Sequence, residues 1–195
     1  MAVSNFPTYH VKFAKTDPRA IIPSKNSNDA GFDIYIISDE DDVCINPGET
    51  VMLSTGLAYE ITSGWHLIAK ERGSTGKIAL KTSAGVNDNS YRGVVNAFLH
   101  NGNFDKTIVI TRNQKASECA ILEMLTKGSE TEFDKSRQDE YIQGGWLENF
   151  IFYPMSKAVQ QLVPIYSPDG TSEEVPFDQL SQTERGNGMT GSSGK

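Results

Sequence analysis

Short apolar runs follow one another so closely along this chain that helices have almost no room. Residues 9–15 alternate inward and outward side chains and read as a first strand. Residues 32–37, 43–45, 50–53, 57–61, 65–70, 78–81, 94–99 and 107–111 read as further strands. Asp17-Pro18, Ile22-Pro23-Ser24, Asn46-Pro47-Gly48 and Ser63-Gly64 break these runs, and residues 38–42 form an acidic turn. Helical spacing shows at residues 117–125, where Ser117 is placed to cap a first turn. An all-β sandwich or barrel is the expected fold class.

Composition narrows the function. A net charge of −7 gives no basic face for non-specific nucleic-acid binding, so any phosphate must be met by a few placed cations. Two cysteines, Cys44 and Cys119, are too few for a disulfide framework and point to a reducing, cytoplasmic setting. No apolar run is long enough to span a bilayer, and the N-terminal residues lack a signal-peptide core, so no membrane association is expected. His10, His66 and His100 have no metal-ligand spacing with each other or with the cysteines.

One stretch concentrates chemistry. Gly85-Val86-Asn87-Asp88-Asn89-Ser90-Tyr91-Arg92-Gly93 sets an acid, an aromatic ring and an arginine between two glycines. It runs into the β-branched and aromatic residues 94–99, which reads locally as a β-hairpin. Such a hairpin can aim Asp88 and Tyr91 into a pocket, or be a surface turn whose polar side chains satisfy their own backbone. Those two readings stay open on this stretch alone. The run Gly73-Ser74-Thr75-Gly76-Lys77 is not a P-loop, because its glycines are too close and Ile78 follows the lysine.

Other segments resolve the choice. Residues 85–93 resemble the third motif of the trimeric dUTP pyrophosphatases, Gly-Val-Ile-Asp-x-Asp-Tyr-Arg-Gly. Ala30-Gly31-Phe32-Asp33 is similar to that family's first motif, Arg72-Gly73-Ser74-Thr75-Gly76 to its second and Val159-Gln160-Gln161-Leu162-Val163 to its fourth. Thr183-Glu184-Arg185-Gly186-Asn187-Gly188 with Gly191-Ser192-Ser193-Gly194 is similar to its fifth. A rival placement sets the fourth motif at residues 112–122, but Gln161 keeps the family glutamine.

The resemblance implies a distorted jelly-roll β-barrel in a homotrimer, hydrolysing dUTP to dUMP and pyrophosphate with Mg2+. Such an activity keeps uracil out of DNA and supplies dUMP for thymidylate synthesis. It makes Asp88 the catalytic base and sets Asp33 on the metal through water. Arg72, Gly73, Ser74 and Gln161 take phosphate-binding positions. Gly85, Val86, Asn87 and Asn96 recognise the base, and Tyr91 lies on the deoxyribose and excludes a 2′-hydroxyl. Arg185, Thr190, Gly191 and Ser192 belong to a C-terminal arm that closes over nucleotide from a neighbouring subunit.

The chain departs from the family in several places. Gly73 stands where a serine is expected, Asn87 replaces an apolar residue and Ser90 replaces the second aspartate. Met189-Thr190 stands where Gly-Phe is expected, so the ring that stacks on uracil is missing. The expected organisation is a barrel domain over residues 1–183, carrying a family-atypical insertion at about 102–154, and an arm over 184–195. Within the insertion, residues 127–141 read as an exposed loop, and the aromatic run 146–153 reads as a strand or a partner surface. Phage and viral members with an insertion at this place recognise a partner protein, which makes a phage or viral origin and a protein partner further expectations. A dCTP deaminase shares the fold and is the alternative enzyme; Asp88 followed by Tyr91 favours the diphosphatase.

Overall fold

The computed structural model describes residues 7–113, 149–168, 170, 172–179 and 181. The chain forms β1 (Val11–Lys15), β2 (Phe32–Ile34), β3 (Asp42–Ile45), β4 (Thr50–Ile61), β5 (Trp65–Glu71), α1 (Gly73–Lys77) and β6 (Leu80–Ser83). It continues with β7 (Val86–Asn87), β8 (Val95–Asn101), β9 (Thr107–Thr111), β10 (Phe150–Pro154) and β11 (Gln160–Tyr166). The sheets are ordered β1-β4-β8-β6, β10-β9-β3 and β2-β11-β5-β7. They wrap the core without closing, as in a distorted jelly roll.

Alternation places the core. Along β8, Val95, Ala97 and Leu99 point inward while Asn96, Phe98 and His100 point away. Two apolar clusters result. One gathers Ile45, Leu80, Leu99, Ile108, Ile110 and Tyr153; the other gathers Ile34, Leu57, Tyr59, Leu67, Val95 and Leu162. Each fully buried large aliphatic side chain contributes about 1.5–3 kcal/mol.

Several local expectations change. The two strands expected at 50–53 and 57–61 are one strand, β4, with a register shift between Ser54 and Leu57. Gly56 makes that shift possible, with φ of 65° and Ala20, Asp17 and Ile37 each 3.0 Å from where a Cβ would lie. The hairpin is also wider than residues 85–99 suggest. β6 pairs antiparallel with β8, from Leu80 opposite Asn101 to Ser83 opposite Phe98, and residues 84–94 form its tip. Within that tip β7 leaves the ribbon to pair with β5. The polar 73–77 run is a short helix, because Thr75 is buried and its hydroxyl bonds both the N–H and the C=O of Arg72 at 3.0 and 3.1 Å.

Both ends of the 102–154 stretch belong to the barrel. β9 pairs antiparallel with β3 and parallel with β10, and Ile108, Ile110, Ile151 and Tyr153 are buried. The expected helix at 117–125, the loop at 127–141 and the Trp146 end of the aromatic run lie outside the described residues.

Candidate active site

The tip of the β6/β8 ribbon opens onto a cleft of about 300 Å³. Val86, Asn87, Asp88, Tyr91 and Asn96 line it, with Ala84, Val94 and Phe98 completing the walls. Gly85 holds the tip against the barrel. The Ala69 N–H donates to the Gly85 carbonyl at 2.7 Å, and a Cβ at Gly85 would sit 2.7 Å from the Ala69 carbonyl oxygen. Asn87 donates its amide to the same Gly85 carbonyl at 3.2 Å. The Tyr91 hydroxyl donates to the Val94 carbonyl at 2.9 Å, which folds the ring over Gly93.

Asp88 is exposed, and no hydrogen bond among the described residues engages its carboxylate. Its backbone is held instead. The buried Tyr59 hydroxyl donates to the Asp88 carbonyl at 2.5 Å. Burial, reinforced by the Asp88 charge, pushes the Tyr59 hydroxyl up to about 12, so it remains a donor throughout the physiological range.

A second polar group lies around Asp33. β11 sets Gln161 directly opposite Asp33 of β2. The Gln161 amide donates to Asp33 Oδ1 at 2.9 Å and Arg72 Nη2 donates to Oδ2 at 3.0 Å. Arg72 Nη1 also donates to the Ala158 carbonyl at 3.4 Å, while its buried Nε has no partner among the described residues. Ser74 Oγ lies 3.2 Å from the hydroxyl of Tyr153, which donates to that same Ala158 carbonyl at 2.7 Å. Burial pushes the Tyr153 phenol up, opposed by its bond to Ser74 and by the Arg72 charge. Gly73 has open space where a Cβ would lie, so the serine expected there would fit and only a hydroxyl is forgone.

The two groups stand apart within one chain. β2, carrying Asp33, and β7, carrying Asn87, are opposite edges of a four-stranded sheet. At about 4.8 Å per strand, that is roughly 14 Å across the sheet. None of Asp33, Arg72, Ser74 and Gln161 lines the cleft.

Residues 17–142 match the family model described as dUTPase. The chain belongs to the dUTPase family. A deoxyuridine 5'-triphosphate nucleotidohydrolase of Nautilia profundicola is 25% identical over 189 residues, 95% of this chain and 99% of that protein. A counterpart from Avian adenovirus 8 is 30% identical over 142 residues, 71% of this chain and 83% of that protein. Among solved structures, Staphylococcus bacteriophage 80alpha dUTPase with dUPNHPP superposes with a TM-score of 0.61 at 19% identity, covering 95% of this chain and 99% of that chain. That likeness is one of fold.

Within this dUTPase, Val86, Asn87, Asn96 and Tyr91, expected at the base and sugar, line one cleft, while Gly85 packs on Ala69 and is not part of the lining. Arg72, Ser74 and Gln161, expected at the phosphates, gather in another cluster around Asp33 and Tyr153. Arg185, Thr190, Gly191 and Ser192 lie outside the described residues. Tyr59, Asn89 and Tyr153 had no site role in the sequence, yet Tyr59 bonds the Asp88 carbonyl, Tyr153 lies against the Ser74 hydroxyl, and Asn89 ties the residue after Asp88 to the carbonyls of Ile61, Thr62 and Trp65. Their only signal in the sequence is a polar group within an apolar run or next to Asp88.

Proposed function

We propose that the protein hydrolyses dUTP to dUMP and pyrophosphate. The observation that carries this reading is the cleft at the ribbon tip of a dUTPase-family chain, lined by Asp88, whose carboxylate has no partner among the described residues, together with Tyr91, Asn87 and Asn96. Asp88 takes a proton from a water as that water attacks the α-phosphorus. The α–β bridging oxygen leaves with pyrophosphate. Edges of Asn87 and Asn96 and the backbone from Gly85 to Asn87 read the base, and the Tyr91 ring closes against the sugar. Arg72, Ser74 and Gln161 hold phosphate oxygens; the planar Arg72 fork suits them.

The donor set fits Mg2+ held chiefly by the substrate. No group of three or more His, Cys, Asp or Glu able to hold a metal occurs among the described residues. Asp33 is partly exposed, and each of its oxygens accepts one bond here, leaving lone pairs for a metal-bound water. Bound there, the ion would neutralise triphosphate charge. Asp33 also orients Arg72 and Gln161.

Placement of the two groups at opposite sheet edges supports a homotrimer in which neighbours complete each site, with residues 184–195 as the closing arm. A partner protein at the 102–154 stretch has no favouring observation among the described residues.

Pyrophosphate release from each deoxynucleoside triphosphate, with Mg2+, tests the reading. Release from dUTP alone is expected, and Asp88→Asn should lower it at least about 100-fold. Ammonia release from dCTP would assign the deaminase instead.

A further inference from the structure

The cleft poses a positioning problem. Catalysis by a general base requires its carboxylate to be held to within a fraction of an ångström. Asp88 has no side-chain partner among the described residues, so its orientation depends on its backbone. That backbone lies in a ribbon tip, where the chain has left its sheet partners.

The next residue supplies the hold. The Asn89 side-chain amide donates to three carbonyls of the β4–β5 turn: Ile61 at 3.0 Å, Thr62 at 3.0 Å and Trp65 at 2.8 Å. Its backbone N–H donates to His66 Nδ1 at 3.3 Å. One residue earlier, the Tyr59 hydroxyl and the Tyr91 N–H both donate to the Asp88 carbonyl, at 2.5 and 3.0 Å. Asp88 is therefore fixed through both the C=O and the N–H of the peptide group that follows its Cα, and through the side chain of the next residue. Only an amide of this length presents two N–H groups to converging carbonyl oxygens at this spot. A carboxylate would face them with like charge, and alanine or serine would fall short. The dUTPase motif leaves this position open, so the clamp belongs to this chain.

We infer that Asn89 is the positioning residue for Asp88, locking the ribbon tip to the β4–β5 turn. This rests on Asp88 being the general base. The clamp acts on the chemical step, while base and phosphate contacts remain in place.

Steady-state dUTP hydrolysis by the full-length chain, with Mg2+, tests it in the wild type, Asn89→Ala, Asp88→Asn and the double variant, with thermal unfolding in parallel. Asn89→Ala is expected to lower kcat about 30- to 100-fold, with KM within about threefold. In the Asp88→Asn background the same substitution should change the residual rate less than about twofold. An unchanged kcat, a loss carried by KM, or an equal loss in both backgrounds would overturn the inference. If Asn89→Ala does not fold, Asn89→Ser decides: at least about a tenfold fall in kcat at constant KM supports the clamp, and wild-type kcat refutes it. A wild type that releases no pyrophosphate from dUTP would remove the functional reading, and the inference with it.

Discussion

Gly93→Ala separates the fit of Tyr91 from the stability of the barrel. A Cβ at position 93 would lie 2.5 Å from the Tyr91 hydroxyl oxygen and 2.7 Å from the ring carbon that bears it. Ordinary contact begins near 3.4 Å, so the ring must swing away by about 1 Å. The obstacle is the far end of a side chain that is 43% exposed, so the ring can move at little expense. What is lost is the 2.9 Å bond to the Val94 carbonyl, a contribution of about 0.5–1.5 kcal/mol, and water replaces part of it. Tm should fall by only about 2–4 °C. The wall that Tyr91 is proposed to form against the sugar is displaced. The ratio of kcat/KM for dUTP over UTP should drop about 10- to 100-fold, the range a single pocket contact supplies. Parallel kinetics on the two nucleotides, with melting curves, measure both effects. A folded variant with the wild-type ratio would refute the role of Tyr91 as the ribose gate.

Gly85→Ala should behave in the opposite way. Its Cβ would meet the Ala69 carbonyl oxygen at 2.7 Å, and that backbone cannot swing aside, so β7 must part from β5. A loss of about 2–3 kcal/mol and a Tm drop of roughly 5–10 °C are expected, read by thermal melting. The acid limb of stability should report Asp17. The hydrogen bond from the Arg19 side chain, then that from its backbone N–H, holds the Asp17 carboxyl down to about 2 from its ordinary 3.8. A lowered folded-state value gives stability that is present above pH 3.8 and is lost as pH falls towards 2. Asp17→Asn should flatten that part of a Tm-versus-pH curve, and added salt should shrink the difference.

How much was readable in advance depended on distance along the chain. Asn87, Asp88, Tyr91 and Asn96 fall within ten residues, so one motif placed them together. Asp33, Arg72 and Gln161 come from β2, the junction of β5 with α1, and β11, and only the resemblance linked them before the register did. Ser54-Thr55-Gly56 reads as a break because glycine punctuates turns, yet β4 keeps pairing with β8 on both sides of it. Tertiary pairing overrode the local signal there. The polar 73–77 run hid a helix for a similar reason: burial of Thr75 recruits its hydroxyl to the Arg72 backbone. The Asn89 clamp was invisible because it needs the β4–β5 turn to arrive beneath the ribbon tip. No spacing in the sequence encodes that meeting.

The division of the interior into two apolar clusters has a bearing on how such a chain can diversify. Tyr59, Leu67 and Val95, which stand behind the cleft, belong to one cluster, while Ile108, Ile110, Ile151 and Tyr153, at the roots of the segment joining β9 to β10, belong to the other. Lengthening or recasting that segment strains the second cluster first. The scaffolding of Asp88 lies in the other cluster, whereas Tyr153 ties this one to Ser74, so a recast segment is felt at the Arg72 and Ser74 side before it is felt at the aspartate.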